Sequence, residues 1–164
     1  LFRHPKFMER AGRDLTELER LAKERGFTLV EMAGDIGVLA NGAGLTMAAL
    51  DTLQRYGGRG GTFLDLGGTD DPDRISEALG LLSYDLAKGR TRSILVCIFG
   101  GITRCDTVAD ALMHTITDRN VKARTVVRLR GTNEEEAVRM LQLANFNVQI
   151  DLDEACLQAI KVRA

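Results

Sequence analysis

Ile94 to Phe99 is a run of apolar residues with no polar alternation, the pattern of a strand covered on both faces, as in a parallel sheet. Gly100-Gly101 breaks the run, Thr103-Arg104-Cys105-Asp106 turns polar, and Val108, Ala111, Leu112 and Thr115 then recur at helical spacing. The same strand, glycine turn and helix occur earlier. Ile36–Ala40 predicts a strand, Asn41-Gly42-Ala43-Gly44 a turn, and Leu45, Met47, Ala48, Leu50 and Leu53 a helix ending near Tyr56. Gly57-Gly58-Arg59-Gly60-Gly61 reads as too flexible to extend that helix. Thr62–Leu66 predicts the next strand and Gly67-Gly68-Thr69-Asp70-Asp71 a loop. Pro72 stands at a first helical position, with Ile75, Ala78, Leu79 and Leu82 facing inward. Thr125–Leu129 predicts a further strand, followed by a helix capped by Thr132 or Asn133. Glu134, Glu135 and Glu136 complement the dipole in its first turn. A short strand, Asn147–Ile150, and a closing helix from about Leu152 to Val162 complete the pattern.

The beginning of the chain is different. Residues through Arg10 are polar and weakly patterned, as in a linker or domain entry. Leu15, Leu18, Leu21 and Ala22 predict an amphipathic helix over Ala11–Arg25 that stops at Gly26. Phe27–Glu31 and Ile36–Ala40, with Ala33-Gly34-Asp35 between them, predict a short hairpin ahead of the main sheet. The whole reads as α/β: a doubly wound parallel sheet in three layers, with an N-terminal helix and short hairpin. Ligands of such sheets bind outside the carboxyl ends of the strands, where the winding reverses. All the glycine-rich loops follow strands and therefore share that edge.

Composition narrows the possibilities. The 164 residues suit one domain, and a net charge of −1 gives no electrostatic case for nucleic acid or an acidic membrane. Aromatic residues make up only 5%, too few for a base-stacking surface. No apolar run approaches the roughly 20 residues that span a bilayer, and Leu1-Phe2-Arg3-His4-Pro5 does not read as the charged start of a signal peptide. The chain opens on Leu1 without an initiator Met, as a fragment or processed piece would. The three cysteines, Cys97, Cys105 and Cys156, lack metal-ligand spacing and read as reduced thiols in a cytoplasmic setting.

Candidate chemistry gathers in the loops. Asn41-Gly42-Ala43-Gly44, Leu66-Gly67-Gly68 and Phe99-Gly100-Gly101 each answer the need for a tight turn. Together they offer backbone N–H groups, with Asn41 and Thr103, to a carboxylate or phosphate. Arg104 could add charge-assisted bonds or lie solvated in a first turn, and Asp106 could serve only the helix dipole. Cys105, near a helix N-terminus, could have a depressed pKa, although no histidine stands near to make it a nucleophile. His4 lies in the entry segment and His114 well down a helix. The chain contains no G-x-x-x-x-G-K-[ST] loop, no G-x-G-x-x-G fingerprint and no G-x-S-x-G elbow. These residues read as an anion-orienting surface rather than a complete catalytic centre.

The motifs N-G-A-G-L-T-M, F-L-D-L-G-G, I-F-G-G-I-T-R-C-D and V-V-R-L-R-G-T-N, in that order, resemble the C-terminal domain of the β subunit of succinyl-CoA synthetase. Related ligases of the malate–CoA ligase and ATP citrate lyase type are similar. The resemblance runs from about Phe27 to the C-terminus and implies a flavodoxin-like CoA-ligase domain over 27–164. Residues 1–26 would then be an entry segment and helix ending the linker from a missing N-terminal ATP-grasp domain. It also implies an acid–CoA ligase of the tricarboxylic acid cycle, ADP- or GDP-forming, in which the isolated domain is inactive alone. The family works through an acyl phosphate and a phosphohistidine. ATP or GTP, Mg and CoA are used by the complete enzyme, none bound within this chain. The implied partners are an α subunit carrying the phosphohistidine and a small, succinate-like organic acid, in a hetero-oligomer.

Carried onto this sequence, the organic-acid site falls on Asn41, Gly101, Ile102 and Thr103. The helix start at Arg104, Cys105 and Asp106 would face the phosphohistidine. Three positions depart from the family pattern. Thr103 stands where succinate enzymes often have valine, Arg130 replaces an acidic residue, and Thr69-Asp70-Asp71 makes the loop after Gly67-Gly68 more acidic. A different acid, or an added hydrogen bond to it, is expected at Thr103, and repulsion of a second anion at the acidic loop. The alternative reading is a non-catalytic binding or assembly module of the same fold. A free phosphate cofactor such as FMN in a flavodoxin-like site is the third.

Overall fold

A computed structural model describes residues 14–164. The entry segment expected through Arg10, with its His4, and the first residues of the helix expected from Ala11 lie outside the described residues. In chain order the elements are α1 (Glu17–Glu24), β1 (Thr28–Glu31), β2 (Ile36–Ala40), α2 (Ala43–Arg55), β3 (Gly60–Asp65), α3 (Pro72–Ala87) and β4 (Ser93–Gly100). Then come α4 (Cys105–Thr115), α5 (Arg119–Ala123), β5 (Thr125–Gly131), α6 (Glu134–Leu143), β6 (Asn147–Val148) and α7 (Leu152–Val162).

The sheet order is β1-β3-β2-β4-β5-β6, parallel throughout except for the antiparallel β1–β3 pair. Without β1, the order is the flavodoxin-like one, and the winding reverses between β2 and β4. Two cores complete the three layers. Leu39, Leu64, Ile94, Val96, Ile98, Val127 and Leu129 point to α1, α3, α4 and α6, whereas Ile36, Val38, Phe63, Leu95 and Val126 point to α2 and α7.

The expected hairpin is not formed. Thr28 pairs with Asp65 and Glu31 with Thr62, so β3 lies between β1 and β2. All five residues of β2 are buried, and such a strand needs a partner on each side, which β3 and β4 supply. The shorter β1, ending in Glu31, suits the edge. The turn that was to close the hairpin instead packs on the start of β3. Met32 N–H donates to the Gly61 carbonyl (2.7 Å), Gly34 N–H to that of Gly60 (3.0 Å), and Asp35 N–H to that of Arg59 (3.2 Å). A Cβ on Gly61 would lie 2.2 Å from the Gly34 carbonyl oxygen, so this approach requires glycine. Gly60 and Gly61, expected in a flexible linker, are therefore strand residues.

Other boundaries follow from capping. α1 begins at Glu17 because Thr16 and Glu19 form a reciprocal capping box, and it ends with Gly26 in a left-handed conformation. Pro72 opens α3 behind Asp71, whose carboxylate accepts from the Asp73 N–H at 3.0 Å. Asn133 occupies the N-cap position of α6, but its side chain does not cap. α4 stops at Thr115, and α5 starts anew behind Asp118, which accepts from the amides of Asn120 and Val121. No helix among the described residues is long and apolar enough to cross a membrane.

Candidate functional site

The carboxyl ends of β2, β3, β4 and β5 bring the glycine loops together at one edge of the sheet. β2 ends at Ala40, beside Cys97 of β4, and Asn41 follows directly at the reversal of the winding. Its carboxamide acts as one more peptide unit. Nδ2 donates to the Phe99 carbonyl (2.8 Å), and Oδ1 accepts from the Phe99 N–H (3.0 Å). Asn41 therefore extends the ladder through its side chain and keeps one N–H of Nδ2 to offer a ligand. On the other side of β2, Asp65 Oδ1 accepts from the amides of Gly42 (2.9 Å) and Gly67 (3.0 Å).

The loop after β4 is tied to the loop after β3. Thr103 is buried, and its hydroxyl donates to the Thr69 carbonyl at 2.7 Å. The Arg104 N–H donates to Asp70 Oδ1 at 2.9 Å. Two of the departures in sequence, Thr103 and the acidic Thr69-Asp70-Asp71 loop, are thus halves of one loop-to-loop contact. The Thr103 hydroxyl serves this contact. Gly101 and Ile102 are exposed, and the amides of Gly101, Ile102 and Thr103 carry no partner among the described residues. Phe99 and Ile102 stand 61% and 70% exposed beside them, an apolar pair on an otherwise polar edge.

The start of α4 is already occupied from within the chain. The Cys105 N–H donates to the Thr132 carbonyl at 2.9 Å. Asp106 holds the Arg104 guanidinium through contacts of 2.8 and 3.2 Å and accepts from Asn133 Nδ2 at 3.1 Å. Burial alone would raise the Asp106 carboxyl, but the Asn133 hydrogen bond and the Arg104 charge together hold it below the usual carboxylate range. Arg104 is thus neither free nor simply solvated; it is ion-paired, with its guanidinium about half exposed.

The depressed thiol pKa expected for Cys105 is not found. Burial, with the charges of Glu134 and Asp106, pushes that thiol up to about 11, so burial and neighbouring carboxylates together outweigh the helix terminus. Arg130 is balanced locally by Glu134 Oε1 at 3.2 Å, and the same oxygen accepts from the Gly131 N–H at 3.1 Å. His114 lies on the surface with Nδ1 at 2.8 Å from the Asp110 carbonyl, away from this edge of the chain.

The structure therefore brings Asn41, Gly101, Ile102 and Thr103 to one edge and sets Arg104, Cys105 and Asp106 directly behind them. Sequence reasoning placed the loops of Asp70 and Phe99 at this edge but missed Asp65, the bond from the Arg104 N–H to Asp70 and the exposure of the Phe99 ring. Asp65 carried a readable signal: a carboxylate closing an apolar strand, immediately before a glycine pair, is out of place for strand propensity.

Comparison with known proteins agrees with the resemblance. The family model described as CoA-ligase matches residues 39–162. Over 162 residues the chain is 44% identical to succinate–CoA ligase (ADP-forming) subunit beta of Staphylothermus marinus, covering 99% of this chain and 42% of that protein. The corresponding subunit of Bacteroides fragilis is 40% identical over 163 residues, 98% of this chain and 42% of its own length. The chain thus spans about two fifths of the length of these relatives. Among solved structures, ATP citrate lyase from Methanothrix soehngenii in complex with citrate and coenzyme A superposes with a TM-score of 0.68 at 14% identity. That match covers 92% of this chain and 47% of the other. The dinucleotide-forming acetyl-coenzyme A synthetase 1 of Ca. Korarchaeum cryptofilum gives 0.63 at 16%, covering 82% of this chain and 35% of that one. These two likenesses speak to the fold. With the family model matching most of the chain, and relatives above 40% identity along nearly all of it, this protein belongs to the CoA-ligase family.

Proposed function

We propose that this chain is the CoA-ligase domain of a succinate–CoA-ligase-type β subunit, and that it supplies half of an organic-acid site completed by an α subunit. The observation that carries the reading is the row of unpartnered amides at Gly101, Ile102 and Thr103, beside Asn41 at the reversal of the winding. Consecutive N–H groups and a carboxamide N–H form a donor set, suited to a carboxylate and not to a cation. In this reading the amides of residues 101–103 bind and orient the acid, the remaining Asn41 N–H fixes its second oxygen, and Ile102 covers its methylene groups.

The start of α4, at Arg104, Cys105 and Asp106, faces the phosphohistidine of the partner. Arg104 reaches that phosphate by exchanging Asp106 for it, while Cys105 serves as packing. ATP or GTP, Mg and CoA are held elsewhere in the complete enzyme, and the reaction proceeds through an acyl phosphate that the CoA thiol attacks. The chain by itself is expected to be inactive.

The test is reconstitution of the full-length β chain with candidate α subunits. Association and succinate-dependent CoA-ligase turnover are expected, and Asn41→Ala should raise the succinate KM by about tenfold, the loss of one to two hydrogen bonds. No association, or an unchanged succinate KM in Asn41→Ala, sinks the reading.

One observation favours a second reading, a non-catalytic assembly module. Asp70, Thr132 and Asp106 already occupy donors at the start of α4. Turnover by the reconstituted complex would exclude it.

A further inference from the structure

Asp65 holds two loops with one atom. Its Oδ1 accepts from Gly42 N–H at 2.9 Å and from Gly67 N–H at 3.0 Å, joining the turn after β2 to the turn after β3. No cation pairs with the half-buried Asp65 among the described residues, so what holds its Oδ1 within the chain is these two amides. Both amides belong to glycines with positive φ, 112° at Gly42 and 73° at Gly67. Only glycine takes such backbone readily, so the chain can turn away directly beyond each bonded N–H.

The consequence reaches the site in one step. Gly42 follows Asn41, so anchoring the Gly42 amide fixes the backbone on the far side of the carboxamide that clasps Phe99. Gly67 begins the loop whose Thr69 carbonyl accepts from Thr103, the residue ending the row of unpartnered amides. Asp65 thus stands behind both halves of the donor set. Its hydrogen bonds go to Gly42 and Gly67, not to Asn41, Gly101, Ile102 or Thr103 themselves.

We propose that Asp65 is a positioning residue for the carboxylate site, acting through Asn41 on one side and through the Thr69–Thr103 contact on the other. This rests on the functional reading above. Its requirement is an acceptor oxygen at one place, not a negative charge.

Three variants in the reconstituted full-length ligase test it, with succinate and CoA as the varied substrates. Asp65→Ala removes the acceptor and should raise the succinate KM about tenfold while the CoA KM stays within about twofold. Asp65→Asn keeps an oxygen in place and should stay within about threefold of the wild type for succinate. Asp65→Glu keeps the charge but displaces the oxygen by a methylene, and should resemble Asp65→Ala. Hydrogen exchange of the peptides spanning 41–44 and 66–69 should quicken in the Ala and Glu variants alone.

A general loss of stability would instead lower turnover without separating the two KM values. A succinate KM unmoved in Asp65→Ala overturns the proposal. So does an Asp65→Asn enzyme as impaired as Asp65→Glu, a comparison that remains if the Ala variant does not fold. Absence of turnover in the wild-type assembly would overturn the functional reading and this proposal with it, whereas the other two results overturn this proposal alone.

Discussion

Cys105 shows how a residue can be read correctly in kind and wrongly in environment. It does sit at a helix N-terminus, where the dipole favours a thiolate. Burial and the carboxylates of Glu134 and Asp106 oppose that and take the thiol to about 11, while burial chiefly takes Cys156 to about 12. At pH 8 roughly one Cys105 in a thousand would be thiolate. Without denaturant, a thiol-reactive disulfide reagent should therefore find no fast-reacting group at this pH, and denaturant should expose all three. The same shift has a pH consequence. A thiol whose pKa is raised by folding contributes stability below its unfolded value, near 9, and loses that contribution as pH rises through about 11. Urea midpoints should fall between pH 9 and 11, and Cys105→Ala should flatten that fall. Titration of the urea midpoint against pH checks both statements. Arg104 and Asp106 carry a related lesson: each was legible as a candidate, and they pair locally, but the bonds from Asn133 to Asp106 and from the Arg104 N–H to Asp70 come from other loops.

Elements were legible where one segment's own pattern decides them. β2, the body of α3 and the whole of α7 fall where periodicity and capping place them. The partner of β1 did not, because pairing is settled between segments. A hairpin and a split pair look identical in the local sequence. The glycines at 34, 60 and 61 let β3 pass against the 32–35 turn, and the burial of β2 demands two neighbours. The close approach predicts an asymmetric pair of substitutions. Gly61→Ala places a Cβ 2.2 Å from a carbonyl oxygen and should cost about 3 kcal/mol in urea unfolding. Gly80→Ala lies inside α3, with nothing within 4 Å of the added Cβ, and should stabilise by about 0.5–1 kcal/mol. Equal effects from the two would contradict the crossing of β3 over that turn.

Over the molecule as a whole, one edge of the sheet is dressed differently from the rest. Leu143 and Ile150 are exposed elsewhere, but Phe99 and Ile102 stand exposed beside unpartnered amides, where the parallel strands end and the winding reverses. In the proposed reading this pair, beside unpartnered amides, is part of the surface that the α subunit covers. Ile102→Asp should weaken association with an α subunit by at least about tenfold and leave the domain's own melting temperature nearly unchanged, since Ile102 contributes little to either core. Sedimentation of the reconstituted complex, with thermal melts of each variant, separates the two effects.

By itself the sequence determined the class of fold, the edge at which the loops gather, and the family, because apolar periodicity and short motifs are local properties that survive without coordinates. Only the tertiary structure decided that Asn41 completes a ladder, that Thr103 serves a neighbouring loop, and that Asp65 stands behind both. Each of these bonds joins residues separated by tens of positions, or turns on which of several nearby donors a single oxygen accepts. Such choices are made by close packing of the whole chain, where one carboxylate or one missing Cβ settles which contact forms.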